Sequence, residues 1–299
     1  MTRVFGVIGH PIEHSLSPLM HAAVFEALRL DAVYSRFDVP APLFVRTLRG
    51  LAQAGVDGLN VTVPHKPRAL AYAKRVGRVS AEAAAIGAVN TLSWRDGTVV
   101  GDNTDVAGFL RLIRERRLSF RGKRVMLLGA GGAARAVGWA LLRLQPATVW
   151  IVNRTRSKAE ALASWLCRSA AARSRAGART QPTGFAALPC DRHAVRRAAR
   201  EAQVLINATS LGLRSGDPLP IEPAALHRRL AVIDLVYARP TTRLVVEARR
   251  RGLLATDGLP MLVYQGAESF RLWWRRPAPV DTMRAAVERQ VRGCAAAAH

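Results

Sequence analysis

The feature that most constrains the fold is a glycine loop that separates an apolar segment from a helical one. The loop follows the apolar segment Arg124–Leu128, and it reads Gly129-Ala130-Gly131-Gly132-Ala133-Ala134. In the spacing G-x-G-x-x-A the first glycine allows a tight turn, the second allows close approach of a pyrophosphate, and the small last residue allows close packing of helix against strand. The N-terminus of the following helix offers N–H groups and the positive end of a dipole to the phosphates. The loop therefore predicts a dinucleotide-binding domain of Rossmann type.

The segment after the next predicted strand bears on which dinucleotide is bound. That strand, Thr148–Val152, continues without a carboxylate into Asn153-Arg154-Thr155-Arg156-Ser157-Lys158. Proteins that bind NAD commonly place Asp or Glu here to hold the ribose 2′-hydroxyl. Arg154, Thr155 and Lys158 would instead form charge-assisted hydrogen bonds with a 2′-phosphate. The segment favours NADP over NAD, although a basic helix start on the surface would give the same sequence.

Predicted strands alternate with predicted helices along all 299 residues, without an internal repeat. This alternation is typical of α/β domains with mostly parallel sheets. Residues 1–105 form one predicted α/β unit, and after a predicted helix at 106–117 a second unit begins at the strand Arg124–Leu128. Residues 169–200 are rich in Ala, Arg and Ser, and we expect a loose helix end and a surface connection there.

The composition is unusual in its charge. The formal net charge is +24, and of the 45 basic residues 41 are arginine and 4 are lysine. Such a field attracts anions, and nucleic acid is one candidate partner. The arginines are spread along the chain without an aromatic RNA-binding motif or a zinc finger, so we expect solvated helix faces and no nucleic-acid partner. Cys167, Cys190 and Cys294 are scattered and lack CxxC spacing, so neither a disulfide framework nor a metal site is expected.

Signals for membrane insertion and export are also missing from the pattern. Charged residues interrupt every apolar run before it reaches the roughly 18 residues that span a bilayer. The first residues have the pattern of a short strand that runs into a glycine turn, without the features of a signal peptide. We therefore expect a cytoplasmic protein.

Several polar segments lie where predicted strands end, which is where open α/β sheets bind ligands. The hydroxyls of Ser15 and Ser17 could both bind a carboxylate or a hydroxyl group, although Ser17 could instead cap the helix that Pro18 begins. Lys66 ends a second such segment, and lysine, unlike arginine, can lose its proton when it is desolvated. Asp105 ends another, and it could either serve a ligand or cap the next helix.

Nine segments occur in the order that they take in shikimate dehydrogenases, and over residues 4 to 276 the chain resembles that family. The segments are Ser15-x-Ser17-Pro18, Asn60-Val61-Thr62-Val63-Pro64-x-Lys66, Ala88-Val89-Asn90-Thr91, Gly101-Asp102-Asn103-Thr104-Asp105, the loop Gly129–Ala134, Asn153-Arg154-Thr155, Asn207-Ala208-Thr209-Ser210-x-Gly212, Asp234-Leu235-Val236-Tyr237, and Gly258-Leu259-Pro260-Met261-Leu262-Val263-x-Gln265. The resemblance implies reversible, NADPH-dependent reduction of 3-dehydroshikimate to shikimate, a step toward chorismate and the aromatic amino acids.

The resemblance also implies roles for individual residues. Lys66 and Asp105 would be the catalytic pair. The substrate pocket would be lined by Ser15, Ser17, Thr62, Asn90, Asp105, Tyr237 and Gln265. The cofactor would contact Gly129, Ala130, Gly131, Gly132 and Ala133 at the pyrophosphate, Asn153, Arg154, Thr155 and Lys158 at the ribose phosphate, Leu235, Gly258 and Met261 at the nicotinamide, and Thr209 at its edge. Residues 1–105 and 265–299 would form the substrate domain, and 106–264 the NADP domain.

Some alternatives stay open. A quinate/shikimate dehydrogenase of the same fold is the nearest, and the two serines with Arg154 favour shikimate and NADP. A methylenetetrahydrofolate dehydrogenase should have a tyrosine four residues before its catalytic lysine, where this chain has Thr62. The segment after Tyr237 departs from the family pattern, since Pro240 lies one place late and Arg243 replaces the second proline. A monomer and a homodimer are both compatible with the sequence.

Overall fold

The computed structural model of the chain describes residues 1–95, 97–175, 183–214, 216–238 and 241–296, of which 292–296 are described by their backbone alone. The chain divides into two compact units. The first contains Met1–Leu112 and Pro260–Gln290, and Ile113–Leu259 forms most of the second. None of the helices in the described ranges is long and apolar enough to cross a membrane.

The described residues form strands and helices in alternation. The strands are β1 (Arg3–Gly9), β2 (Ala32–Asp38), β3 (Gly58–Val61), β4 (Gly77–Val79), β5 (Thr91–Arg95), β6 (Thr98–Asp102), β7 (Arg124–Leu128), β8 (Thr148–Val152), β9 (Gly184–Leu188), β10 (Val204–Asn207), β11 (Ala231–Asp234) and β12 (Ala255–Thr256). The helices are α1 (Ser17–Ala27), α2 (Phe44–Gln53), α3 (Lys66–Val76), α4 (Ala81–Ile86), α5 (Asp105–Glu115), α6 (Gly132–Leu144), α7 (Arg156–Arg175), α8 (Arg192–Glu201), α9 (Arg243–Arg250), α10 (Leu259–Trp274) and α11 (Val280–Ala296), with short 3-10 helices at Ala41–Leu43 and Pro223–Ala225.

The sheet of the first unit has the order β2-β1-β3-β5-β6-β4. β1 pairs in parallel with β2 and β3, and β6 with β4, whereas β5 runs antiparallel to its neighbours β3 and β6. Because β5 is reversed, its first residue, Thr91, lies opposite Asn60 near the end of β3 and opposite Asp102 at the end of β6. Strand ends and a strand start therefore share one edge of this sheet.

The core of the first unit packs helix α2 against the centre of this sheet. Phe44 and Leu48 of α2 are fully buried in one cluster with Ile8, Leu59 and Leu92, which come from three neighbouring strands. Burial of apolar surface stabilises a fold by about 25 cal/mol per Å². This packing holds the strand ends in fixed register.

The sheet of the second unit has the order β12-β11-β10-β7-β8-β9, and all of its pairs are parallel. The sheet has two halves of three strands, β7-β8-β9 and β10-β11-β12, which extend in opposite directions from the pair β7 and β10 at its centre. Ligands bind at such a topological switch point, beyond the carboxyl ends of the strands. The glycine loop follows β7 directly, so it lies at that point. The predicted α/β fold with a Rossmann-type domain is confirmed.

The prediction for residues 169–200 is wrong for most of its length. Helix α7 continues to Arg175, β9 pairs with β8, and α8 is capped by Asp191, whose carboxylate accepts the Ala194 N–H at 2.8 Å. The signal is weak because β9 contains mostly small residues and α8 buries only Ala198 and Ala199. Residues 176–182 of this segment lie outside the described ranges.

Candidate active site

In the first unit, polar residues from three strand ends meet at one edge of the sheet. Lys66 begins α3 shortly after β3, Asn90 immediately precedes β5, and Asp105 begins α5 shortly after β6. Since β5 is reversed, its start lies beside the ends of its neighbours. The topology thus gathers residues that are up to 39 positions apart in the chain.

The two residues predicted as the catalytic pair are in direct contact. Lys66 Nζ donates a hydrogen bond to Asp105 Oδ2 at 2.5 Å. The two side chains are only 13% and 7% exposed, so most water is excluded from the ion pair. A charge-assisted hydrogen bond is stronger in such a setting than at the surface. The carboxylate also lies at the N-terminus of α5, where the helix dipole favours negative charge.

The Asp105 carboxylate is oriented by the neighbouring amide side chain of Asn90. Asn90 Nδ2 donates to Asp105 Oδ1 at 2.8 Å, and Asn90 Oδ1 accepts the Thr104 N–H at 2.8 Å, which fixes which way the amide faces. Asn103 Oδ1 accepts the Asp105 N–H at 3.1 Å and so satisfies the first helical amide. The alternative that Asp105 serves only as a helix cap is therefore wrong, since its carboxylate binds Lys66 and Asn90.

Ser15 lies in the turn before α1, and Ser17 is the first residue of this helix. Both are buried, and Ser15 Oγ accepts the Ser17 N–H at 3.3 Å. Arg36 holds this turn through two hydrogen bonds to the Ser15 carbonyl, the shorter at 2.8 Å. The N-cap position belongs to Leu16, and no side chain caps the helix. The interpretation of Ser17 as a cap is therefore wrong.

Thr62 and Gln265 are half-buried and belong to the same unit. Thr62 directly follows β3. Gln265 lies on α10, with its Nε2 donating to the Leu262 carbonyl at 2.8 Å. Helix α10 approaches α5 very closely here, because a Cβ on Gly108 would lie 2.9 Å from the Gln265 nitrogen. Among the described hydrogen bonds, none joins either side chain to Lys66. Gln265 packs against Gly108, which lies one helical turn after Asp105 on α5.

In the second unit, the glycine loop has two positions with different demands. Gly129 has φ of +107°, and a Cβ there would lie 2.7 Å from the Ala208 carbonyl oxygen. Gly131 would place its Cβ in open space, so the protein itself does not need glycine there. Helix α6 begins at Gly132, and neither a capping side chain nor an acidic residue occupies its first turn. This arrangement fits a pyrophosphate, which would accept the first amides of the helix.

The segment after β8 is basic and exposed. Arg154, Thr155 and Lys158 all face solvent, and α7 begins at Arg156, which forms an ion pair with Glu160 at 2.7 Å. No ion pair within the described ranges occupies Arg154 or Lys158. Asn153 Nδ2 donates to the Thr155 carbonyl at 2.9 Å and shapes the turn. The donors fit the 2′-phosphate of NADP.

Two fully buried polar residues in the second unit belong to no predicted role. Asn207 ends β10 and Asp234 ends β11, and Asn207 Nδ2 donates to Asp234 Oδ1 at 2.8 Å. Thr209 donates to Asn207 Oδ1 at 2.7 Å, and Thr242 donates to Asp234 Oδ2 at 2.7 Å. Burial raises the pKa of Asp234 to about 6, against hydrogen bonds that lower it. A polar residue at the end of an apolar strand is the sequence signal that would have found both.

The remaining predicted residues are divided between the units. Leu235 and Gly258 lie together in the second unit, where a Cβ on Gly258 would lie 2.1 Å from the Leu235 carbonyl oxygen. Tyr237, predicted at the substrate, also belongs to the second unit, and Met261, predicted at the cofactor, belongs to the first. In the segment that departs from the family pattern, residues 239–240 lie outside the described ranges and Arg243 begins α9.

The described ranges contain no cluster of three or more His, Cys, Asp or Glu that could hold a metal ion. Cys167 and Cys190 are free thiols, and the side chain of Cys294 lies outside the description.

The second unit has a parallel sheet with a glycine loop that fits a phosphate, and the first unit has a largely buried lysine–carboxylate pair. Together these features are typical of a dinucleotide-dependent dehydrogenase. Three family models match the chain. They are described as the shikimate dehydrogenase substrate binding domain (residues 7–92), shikimate / quinate 5-dehydrogenase (residues 111–175) and the shikimate 5′-dehydrogenase C-terminal domain (residues 258–288). The chain belongs to the shikimate dehydrogenase family.

Individual relatives agree with this assignment. The NADP(+) shikimate dehydrogenase of Methanopyrus kandleri is 42% identical, with 97% of each chain covered. The structure of shikimate 5-dehydrogenase from Thermus thermophilus, in complex with NADP(H) and shikimate, is 37% identical with a TM-score of 0.81, covering 97% of this chain and 100% of that one. Quinate dehydrogenase from Corynebacterium glutamicum, in complex with NAD, is 27% identical with a TM-score of 0.82, covering 96% and 98%.

Proposed function

We propose that this protein is an NADP-dependent shikimate dehydrogenase, which reversibly reduces 3-dehydroshikimate to shikimate. The observation that supports it most directly is the Lys66–Asp105 pair, an ammonium held at 2.5 Å from a buried carboxylate in the unit that matches the substrate binding domain. Reduction of a ketone needs a group that stabilises negative charge on the carbonyl oxygen and supplies a proton. Lys66 can do both.

NADPH, when bound, supplies the hydride that reduces the carbonyl carbon. Gly129 to Ala133 would hold its pyrophosphate, and Asn153, Arg154, Thr155 and Lys158 would hold the ribose phosphate. Leu235, Gly258 and Met261 would bound the nicotinamide, with Thr209 at the edge of the cofactor. The open space at Gly131 and the uncapped start of α6 support this assignment, since both leave room and amide donors for phosphate oxygens.

The residues of the first unit would bind the substrate and move its proton. Lys66 would donate a proton from Nζ to the carbonyl oxygen during reduction and accept one from the hydroxyl during oxidation. Asp105 would orient Lys66, and its own position is fixed by Asn90. The hydroxyls of Ser15 and Ser17 would bind the ring carboxylate, while Thr62 and Gln265 would bind ring hydroxyls. Tyr237, which belongs to the second unit, is a further proposed substrate contact.

Quinate dehydrogenation is the second candidate, because a quinate dehydrogenase with bound NAD has a TM-score of 0.82 to this chain. One assay separates the two: initial rates with shikimate and quinate, each with NADP and NAD. We expect the highest kcat/KM with shikimate and NADP. A preference for quinate, or for NAD, would replace the proposal with the second candidate.

Several narrower assignments belong to the same proposal. The first unit would act as the substrate domain and the second as the NADP domain, with only small-molecule ligands and no metal or nucleic acid. A cytoplasmic location and a monomeric or homodimeric state stay predictions. Size-exclusion chromatography with light scattering would determine the oligomeric state, and retention on a nucleic-acid resin at physiological salt would contradict the expected partners.

A further inference from the structure

A buried hydroxyl on α10 links this helix to the catalytic pair. Ser269 is fully buried on α10, one turn after Gln265 and next to Phe270. A buried hydroxyl needs a hydrogen-bond partner, whereas an apolar side chain at this position would need none. Ser269 Oγ lies within hydrogen-bond distance of side chains from three other parts of the first unit: Asn60, Thr91 and Thr104. We propose that Ser269 is a positioning residue, which holds Asp105 and thereby Lys66 in place; this inference rests on the proposed function.

The hydrogen bonds of Ser269 can be assigned a direction. Its Oγ lies 3.0 Å from the Gln265 carbonyl oxygen, which can only accept, so the single hydroxyl proton goes there. Asn60 Nδ2, which can only donate, lies 2.7 Å from Ser269 Oγ. With its proton used, Ser269 Oγ can only accept from the two nearby threonine hydroxyls, Thr91 Oγ1 at 3.0 Å or Thr104 Oγ1 at 3.2 Å. Both lone pairs and the proton of Ser269 are therefore used.

The same bonds continue from Thr104 to the catalytic pair. Asn90 Nδ2 donates to Thr104 Oγ1 at 3.1 Å and to Asp105 Oδ1 at 2.8 Å. Asp105 Oδ2 accepts from Lys66 Nζ at 2.5 Å. Ser269 is therefore separated from the Asp105 carboxylate by two side chains, and every residue of this path except Lys66 is buried. A path of this kind can fix a rotamer far more strictly than a solvated contact, because no water can substitute for a lost partner.

Thr91 and Thr104 share the remaining hydrogen bonds to Ser269 and Asn90. Thr91 Oγ1 lies 3.0 Å from both Asn90 Oδ1 and Ser269 Oγ, and Thr104 Oγ1 lies 3.2 Å from the same two atoms. One threonine hydroxyl can donate to Ser269 Oγ and the other to Asn90 Oδ1, which also accepts the Thr104 N–H. The Asn90 amide therefore has acceptors on one side and donors on the other, and it cannot flip without breaking bonds at both ends.

The experiment compares Ser269→Ala with Ser93→Ala, a matched control. Ser93 is a buried serine on β5, 2% exposed, and its Oγ has no hydrogen-bond partner among the described residues. We expect Ser269→Ala to lower kcat about tenfold, with KM for shikimate changed less than about twofold, because the loss affects transition-state stabilisation more than ground-state binding. Ser93→Ala should change neither, and the pH profile of kcat should shift only in Ser269→Ala.

Two Thr104 variants test the path itself. Thr104→Val keeps the shape of the side chain and removes its hydroxyl, whereas Thr104→Ser retains the hydroxyl. Thr104→Val should reproduce the loss in kcat, Thr104→Ser should restore most of it, and the double variant Ser269→Ala/Thr104→Val should lose little more than either single one, because the two act in series. Thermal unfolding of each variant identifies any that is misfolded, and the Thr104 pair then decides in place of Ser269→Ala.

Four outcomes are informative. A kcat loss in Ser269→Ala that is non-additive with Thr104→Val supports the inference. Equal kcat in Ser269→Ala and Ser93→Ala, or effects that add fully with those of Thr104→Val, would overturn it while leaving the proposed function intact. A rise in KM alone would also overturn it, since it would indicate that Ser269 serves Gln265 only. A wild-type protein that oxidises neither shikimate nor quinate would overturn the proposed function and the inference together.

Discussion

The candidate sites of the two units are built in different ways. The proposed catalytic site of the first unit consists of side chains that hold one another: Lys66, Asp105 and Asn90 are linked by hydrogen bonds of 2.5–2.8 Å and are buried or nearly so. The proposed cofactor site of the second unit consists of backbone shape at Gly129, Gly131 and the start of α6, with exposed basic side chains at its edge. We call the first, at Lys66, Asp105 and Asn90, the interlocked site, and the second, at Gly129–Gly132, the backbone site. The interlocked site is sensitive to the loss of one hydroxyl, whereas the backbone site is sensitive to the addition of one methyl group.

The largest effect is expected at the interlocked site. Lys66→Ala should lower kcat by about 10²- to 10⁴-fold, the usual contribution of a positioned proton donor, with a much smaller change in KM. Steady-state rates with shikimate and NADP would measure it. Lys74→Ala is the matched control, since Lys74 is exposed and lies on the same helix α3. Near-normal turnover of Lys66→Ala would remove Lys66 from the mechanism.

The two units should also respond to acid in opposite directions. His21, in the core of the first unit, is fully buried with no described hydrogen-bond partner for either ring nitrogen, and burial lowers its pKa to about 3. The unfolded chain binds this proton near pH 6.5, so between pH 6.5 and 3 the unfolded state holds more protons and stability falls as the pH falls. The full loss would approach about 4–5 kcal/mol at about pH 3.

Asp234 gives the second unit the reverse dependence. Its pKa is raised to about 6, so the folded state takes up a proton first, and stability rises by up to about 3 kcal/mol as the pH falls from about 6 to about 4. Hydrogen exchange of peptides from each unit at about pH 7, 5 and 4 would separate the two effects. His21→Phe should flatten the dependence in the first unit, and Asp234→Asn that in the second. Equal slopes in wild type and variants would contradict this assignment.

The glycine loop allows a sharper test of the backbone site. Gly129→Ala should destabilise the protein by about 1–2 kcal/mol or more, because an L-residue is strained at φ of +107° and its Cβ would meet the Ala208 carbonyl oxygen. Gly131→Ala should leave thermal unfolding unchanged and weaken NADPH binding at least about tenfold, since its Cβ enters space that only the ligand would use. Fluorescence titration with NADPH and thermal unfolding measure both quantities.

The pair of variants provides its own control. If Gly131→Ala bound NADPH normally, the pyrophosphate would not lie against this residue. If Gly129→Ala unfolded at the wild-type temperature, the strain argument would be wrong.

The contrast explains what the sequence could predict. The glycine loop and the basic segment at Asn153–Lys158 are contiguous, and each residue type there has a local physical reason, so both were visible in the pattern. The interlocked site is not local: its contacts join Lys66 to Asp105 and Thr104 to Ser269, residues that are 39 and 165 positions apart. Their meeting depends on the reversed strand β5, which the alternation of strands and helices did not predict. Family resemblance supplied the pair, but nothing in the pattern indicated Ser269.

The wrong prediction for residues 169–200 has a related physical cause. Segments with a full apolar face, such as β7 and β8, have the bounds predicted from the sequence. β9 and α8 bury small residues against a sheet that already exists, so their periodicity is faint before the sheet is known. Their stability comes from tertiary packing rather than from local preference.

The smallest effect is expected at the exposed rim of the backbone site. Arg154→Ala should lower the preference for NADP over NAD, measured as the ratio of kcat/KM values, by about tenfold, since a hydrogen bond to a charged group contributes about 1.5–3 kcal/mol and solvent weakens it here. Arg156→Ala is the control, because Arg156 lies two residues away but is paired with Glu160 at 2.7 Å. Stability and turnover with shikimate should stay unchanged in both, because neither side chain is part of the fold's core. An unchanged cofactor ratio in Arg154→Ala would assign the 2′-phosphate to Thr155 and Lys158 instead, and Lys158→Ala would then show the loss.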